Sequence, residues 1–162
     1  MPDQPSPQYF GTDGMRGTVG IFPLIPGFVQ KVGYALGQIC QRGRSTAKVL
    51  IGRDTRQSGQ MLQQALTSGL LSVGVDVQDV GIIPTPAVSY LVKKYGYDAG
   101  VMISASHNPH HQNGIKIFSR NGQKIPENIE LEIENIAQTE DDRQLVSRRY
   151  GSVSYADSMR KD

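Results

Sequence analysis

The chain has 162 residues, enough for one domain that buries its own core without disulfides. Hydrophobic residues make up 38 % and charged residues 20 %, an ordinary globular balance, and 17 basic against 15 acidic residues leave a net charge of +2. This weak charge, with no basic block, argues against nucleic acid as a partner. The apolar runs are all too short to span a bilayer, so no membrane partner is expected. Cys40 is the single cysteine, which leaves no disulfide framework and points to a reducing, cytoplasmic setting. The 18 glycines and 9 prolines fall at the ends of apolar runs, where they punctuate many short elements.

Residues 1–8 carry three prolines and no apolar run, and read as a disordered leader rather than a signal peptide. Tyr9-Phe10 then leads into Gly11-Thr12-Asp13-Gly14-Met15-Arg16-Gly17, a loop with glycine at every third position. Such a loop allows close backbone approach to a ligand, and Arg16 is a potential bidentate phosphate contact; a plain surface turn with a solvated arginine is the alternative. This spacing is not a dinucleotide-binding fingerprint.

Pro26 suits a first helical turn, and Phe28, Val29, Val32, Leu36, Ile39 and Cys40 recur at helical spacing up to Gly43. Gly33 and Gly37 weaken that helix but permit a close neighbour, and Cys40 falls on its core side. Lys48–Gly52 reads as a buried strand ending in Arg53-Asp54-Thr55-Arg56, charges that are either ligand groups or a local ion-pair network, the second being commoner. Ser58 is a plausible N-cap for a helix that runs to Gly74. Val75–Val80 is a second strand, Thr85 as N-cap and Pro86 at the first helical position open a helix that stops at Gly96, and Asp98–Ile103 is a third strand. Strands alternating with helices predict an α/β fold: a three-layer domain with a mixed, mostly parallel sheet of about four strands and helices on both faces.

The stretch Val101–Phe118 is the most informative. The strand ends in Ser104-Ala105-Ser106-His107-Asn108-Pro109, Asn113-Gly114 signals a tight turn, and Ile115–Phe118 resumes an apolar run. Polar groups at the carboxyl end of a strand lie where open α/β sheets bind ligands. Pro126 then starts a last helix with Ile129, Ile133, Ile136 and Ala137 on one face, and Glu127 and Glu130 suit its amino end. From Thr139 ten of 24 residues are charged and periodicity is lost, which predicts a linker or loosely docked tail over 139–162.

A nucleophile–base pair from the adjacent Ser106 and His107 is a poor triad, and no G-x-S-x-G elbow surrounds them. His107, His110 and His111 lack the companions of a zinc site, and the last two read as exposed loop residues. Phosphoryl transfer fits better. Ser106 offers a hydroxyl, Arg16 and Lys116 offer charge, and His107 or Lys116 can move a proton. The bland alternative is that Ser104 and Ser106 cap a turn and Lys116 is solvated.

The segments Tyr9–Gly17, Gly52–Arg56, Pro84–Val88, Ile103–Pro109 and Asn113–Lys116 together resemble the α-D-phosphohexomutase superfamily over about residues 9–138. An apolar residue before Arg16 places the resemblance in its phosphoglucosamine mutase branch, with glucose or mannose phosphates as the other option. The resemblance implies that Ser106 carries a phosphate and donates it to glucosamine 6-phosphate. A bisphosphate intermediate would turn over and yield glucosamine 1-phosphate for UDP-N-acetylglucosamine synthesis. It further implies that Lys116 is the general acid/base, that Arg16, His107 and Asn108 line the cleft, and that Mg²⁺ binds an oxygen at Ser106. Its members have four domains, of which this chain matches the first. The Asp-x-Asp-x-Asp magnesium loop and the sugar- and phosphate-recognition loops are not in the sequence, so the remaining domains of the same enzyme are expected partners and the piece alone is expected to be inactive. His110-His111-Gln112 also departs from the family pattern of aromatic and acidic residues. A single-domain phosphosugar-binding or regulatory protein is the competing reading.

Overall fold

The computed structural model describes residues 5–139 and 149–155. Its elements run β1 (Phe10–Gly11), β2 (Gly14–Thr18), α1 (Pro26–Cys40), β3 (Lys48–Arg53), α2 (Gly59–Ser72), β4 (Asp76–Ile82), α3 (Thr85–Tyr95), β5 (Ala99–Ile103), β6 (Gln112–Ser119), α4 (Glu127–Thr139) and β7 (Val153–Tyr155). The strands form one sheet in the order β1-β2-β6-β5-β3-β4-β7. The α/β class and the helices on both faces are as expected.

The strand number and direction differ from expectation. The sheet has seven strands rather than about four. The pairs β3–β4, β3–β5 and β4–β7 are parallel, and β1–β2, β2–β6 and β5–β6 are antiparallel, so the sheet is evenly mixed rather than mostly parallel. The additional strands were illegible because they are short and polar or glycine-rich. Gly-Met-Arg-Gly-Thr has no apolar alternation and Val-Ser-Tyr is too short to display one, and they become strands because a neighbouring edge offers unpaired backbone groups. Asn113-Gly114 is likewise not a turn. Both residues sit inside β6, with Asn113 opposite Gly17 and Gly114 opposite Arg16.

Alternation along the strands sorts the core into two layers. Val49, Ile51, Val101, Ile103, Ile115 and Ile117 face α1, α2 and α4, whereas Leu50, Val80, Met102 and Phe118 face α3. Helices α1 and α2 pack almost backbone to backbone. A Cβ on Gly33 would meet the Leu66 carbonyl oxygen at 2.1 Å, and one on Gly69 the Gln30 carbonyl oxygen at 2.0 Å. The glycine that weakens α1 is therefore what lets α2 approach. Cys40 packs against this layer as expected, and burial pushes its thiol up to about 12, with Arg44 pulling the other way.

Two helix starts differ in detail. Ser58 makes no side-chain cap bond to α2; its Oγ accepts instead from Asn113 Nδ2 at 2.9 Å. Pro84, not Thr85, holds the cap position of α3, and Gly96 ends that helix as predicted. In the first turn of α4, Glu130 is buried beside Lys124, whose Nζ lies 2.6 Å from Oε1. Burial raises this carboxyl above its usual range, with Lys124 only partly offsetting the rise.

Both ends of the described chain are tied down. Residues 1–4 of the expected leader lie outside the described residues. By Gln8 the backbone is anchored: Glu134, 2 % exposed, accepts from the amides of Gln8 at 2.7 Å, Tyr9 at 2.7 Å and Phe10 at 2.8 Å. Of the expected tail, 140–148 and 156–162 lie outside the described residues. β7 pairs with β4, and Asp76 accepts from the backbone amide and hydroxyl of Ser152 and from Arg149. No helix among the described residues is long and apolar enough to cross a membrane.

Two outcomes follow from these anchors. Glu134→Ala leaves three backbone donors without their acceptor and is expected to cost about 3 kcal/mol in urea unfolding, with Glu134→Gln costing less because one oxygen remains. Burial opposes ionisation of Asp76, but the bonds from Ser152 and Arg149 outweigh it and hold the carboxyl below its usual range. A lowered acid stabilises the fold above its unfolded value and loses that contribution as pH falls through the lowered one. Amide protection over Val153–Tyr155, taken relative to the intrinsic exchange rate, should therefore fall selectively below about pH 4, and Asp76→Asn should show the lower protection already at neutral pH.

Candidate functional site

The site lies where β5 ends. β5 runs into the loop 104–111 and the chain returns antiparallel as β6, with β2 on its far side. Ile115 faces the α1–α2–α4 layer, so its neighbours Gly114 and Lys116 face the other way, and Arg16, opposite Gly114, joins them. The result is a cleft of about 200 Å³ on the α3 side of the sheet, lined by Asp13, Arg16, Thr85, Met102, Ser104, Ser106 and Lys116. Thr85 is the first residue of α3, so the amino end of that helix borders the cleft.

Gly114 permits this crowding. A Cβ there would lie 2.7 Å from the Ser104 carbonyl oxygen, 2.8 Å from Arg16 Cγ and 3.1 Å from the Met15 carbonyl oxygen. Arg16 is largely buried. Its Nη1 lies 3.9 Å from Asp13 Oδ2, and its Nε is buried without a hydrogen-bond partner. Lys116 Nζ lies 5.6 Å from the centre of the Phe118 ring, a cation–π contact along the same face.

Ser106 is exposed at the mouth of the cleft and has φ +56°, alone in the left-handed region among described non-glycine residues. Its amide donates to Ser104 Oγ at 3.0 Å, and its Oγ lies 3.3 Å from His107 Nδ1. Ser104 Oγ donates to Asp54 Oδ2 at 2.7 Å. Arg56 reaches the same loop from the end of β3. Its Nη2 donates to the Ser106 carbonyl at 2.7 Å, and its Nη1 to the carbonyls of Pro109 at 2.8 Å and Gln112 at 3.1 Å. Asp54 accepts from both the Arg56 backbone amide and Nε at 3.0 Å.

Of the residues singled out from the sequence, Ser106, Lys116 and Arg16 therefore line one cleft, and His107 touches Ser106 from outside it. Asn108 is used within the loop: its amide donates to the Ala105 carbonyl and its Nδ2 to Gln112 Oε1 at 2.9 Å. His110 and His111 are exposed and stand edge to face, as expected of loop residues. Sequence reasoning missed Asp13, Met102 and Thr85 as lining residues. For Asp54 and Arg56 it anticipated an ion pair, and the pair forms. Its grip on a loop fifty residues further on left no trace in the sequence.

The fold and the cleft define a class: a three-layer α/β/α domain whose cationic pocket opens at the carboxyl ends of parallel strands. The chain belongs to the family described as phosphoglucomutase/phosphomannomutase, alpha/beta/alpha domain I, whose model matches residues 7–144. It is 54 % identical over 130 residues to a phosphoglucosamine mutase of Janthinobacterium sp. (strain Marseille), covering 78 % of this chain and 29 % of that protein. It is 50 % identical over 129 residues to a phosphoglucosamine mutase of Idiomarina loihiensis, covering 80 % of this chain and 29 % of the relative. Among solved structures, a phosphoglucomutase/phosphomannomutase family protein from Burkholderia thailandensis superposes with a TM-score of 0.73 at 29 % identity, over 91 % of this chain and 32 % of that one. The chain thus spans less than a third of the length of the relatives it matches.

The tight packing at Gly114 gives a direct check. Gly114→Ala forces a methyl group against two backbone oxygens and should lower stability by about 1–3 kcal/mol in denaturant unfolding. An unchanged midpoint would contradict the crowding that brings Arg16 beside the Ser106 loop.

Proposed function

We propose that this chain is the serine-bearing domain of a phosphoglucosamine mutase, and that the whole protein interconverts glucosamine 6-phosphate and glucosamine 1-phosphate. The observation that carries the reading is the convergence of the exposed Ser106, at φ +56°, with Arg16 and Lys116 in one cleft. The names of the two relatives support the choice of sugar.

In this reading Ser106 Oγ carries a phosphoryl group. The P–Oγ bond breaks as a hydroxyl of the bound sugar monophosphate attacks phosphorus, which gives a sugar bisphosphate and a free serine. The bisphosphate turns over, and its other phosphoryl group passes back to Ser106 Oγ. Lys116 takes the proton from the attacking hydroxyl and passes it to Ser106 Oγ as that oxygen leaves phosphorus, the same transfers run backwards when a phosphoryl group returns to the serine, and Arg16 offsets the negative charge of the phosphoryl oxygens. His107, 3.3 Å from Ser106 Oγ, orients that oxygen or its phosphate. Asn108 contributes by shaping the loop and through any contact it gains when a phosphosugar binds.

The family resemblance implies magnesium, whose hard oxygen ligands would include one from Ser106. The donors in this chain do not complete such a site. Asp54 is engaged by Arg56 and Ser104, Asp13 stands beside Arg16, and no three His, Cys, Asp or Glu side chains come together among the described residues. The other ligands, and the remaining walls of the sugar site, belong to the further domains of the whole protein. A cytoplasmic location is part of the same reading.

The test uses the full-length gene product. It should convert glucosamine phosphates faster than glucose or mannose phosphates, and intact-mass analysis should find one phosphate. Ser106→Ala should remove both that phosphate and at least about 10³ of the turnover. Phosphate retained on the Ser106→Ala protein would overturn the assignment. The isolated 162 residues should show no turnover, and measurable conversion by them would show that the other walls are unnecessary.

A further inference from the structure

We propose that Arg56 and Asp54 are positioning residues that hold Ser106 in its left-handed backbone conformation and so set the place of its hydroxyl. The inference rests on the reading of Ser106 as the phosphate carrier and adds to it the device that aims the serine.

The left-handed region is unfavourable for a residue with a side chain and persists where surrounding structure over-determines it. At Ser106 that structure is visible on both sides of the residue. The amide on one side donates to Ser104 Oγ, which in turn donates to Asp54. The carbonyl on the other side accepts from Arg56 Nη2. Arg56 also binds the carbonyls of Pro109 and Gln112, so one guanidinium fixes the loop at three points along its length. Its planar fork suits three carbonyls in different directions, which a lysine ammonium on a flexible stem does not reproduce. Asp54 sets the plane of that fork by accepting from Nε, and a second bond from the Arg56 amide fixes Asp54 itself.

Neither Asp54 nor Arg56 lines the cleft. The Arg56 side chain is only 10 % exposed and its donors point at loop carbonyls, so it acts on the serine through the backbone. Ser58 and Asn113 add a further link between the segment after β3 and the start of β6. The loop that bears the reacting oxygen is thus bolted to the end of β3, a central strand of the sheet. Phosphoryl transfer is sensitive to placement, since a displacement of about 1 Å costs roughly 10²-fold in rate.

Two measurements test this. In the full-length gene product, Arg56→Ala should lower kcat about 10²-fold with KM for the sugar phosphate nearly unchanged. Arg56→Lys should not restore the rate, and added methylguanidinium should restore part of it to Arg56→Ala. Asp54→Asn, which keeps the shape of the side chain, should lower kcat in the same direction and serves if Arg56→Ala does not fold. A parental kcat in these variants, or a loss confined to KM, would overturn the proposal. The second measurement needs no turnover. Ser106→Gly relieves the left-handed strain and should raise the thermal midpoint of the chain by roughly 2–4 °C. In the Arg56→Ala or Asp54→Asn background, where the loop is free to relax, that gain should vanish. An equal gain in all backgrounds would show that the clamp does not impose the conformation. A parent protein that never carries phosphate on Ser106 would sink the proposed function, while the glycine comparison would still decide the clamp.

Discussion

The site depends on an ion pair whose importance lies in what else it binds. Just past the end of β3, Arg56 donates to the carbonyls of Ser106, Pro109 and Gln112, and Asp54, which orients Arg56, accepts from Ser104 in the same loop. A half-buried pair of this kind contributes little net stability as a pair, because desolvation offsets attraction. Its value is geometric. In a loop of serine, histidine, asparagine and proline only the small Ala105 is a buried apolar side chain, so its shape comes mainly from hydrogen bonds. The guanidinium supplies those bonds from a strand buried in the middle of the sheet.

The mixed sheet supplies the other half of the arrangement. Were β6 parallel to β5, a long crossover would separate Lys116 from Ser106. The antiparallel return keeps them ten residues apart in sequence and on one side of one cleft. Adding β2 antiparallel to β6 then brings Arg16 opposite Gly114, on the same face. The parallel half, β3 with β4 and β5, does the structural work, with two apolar layers and a glycine contact that brings α1 against α2. Glu134 connects the halves. Three backbone amides at the start of the β1–β2 hairpin end on its carboxylate, so the position of the hairpin that carries Arg16 is fixed by α4.

Much of this was legible beforehand, and the failures share a cause. The four helices and the three central strands announce themselves by apolar period. Cys40 reads as a core thiol because it falls on an apolar face. The motif around Ser106 is specific enough to indicate the family. Asn113-Gly114 misled because turn propensity is local: the pair sits in a strand where Asn113 bonds Ser58 and Gly114 yields space to Ser104 and Arg16. β2 and β7 were missed because strand pairing at an edge satisfies backbone groups whatever the side chains are. Ser58 holds the cap position of α2 as its residue type suggests, but its hydroxyl accepts from Asn113 rather than from the helix amides, a competition that distance along the chain conceals.

The sequence by itself determined the class of fold, the order of its central elements, the family, and the side chains able to do phosphate chemistry, because apolar periodicity and a specific motif are written along the chain. Only the tertiary structure decided how those side chains meet: that Arg16 and Lys116 share a face, that Ser106 is held left-handed, and that Arg56 holds it there. The reason is physical. Each of these relations is a hydrogen bond or a steric limit between residues that lie far apart in sequence, and its strength depends on a distance that no local pattern records.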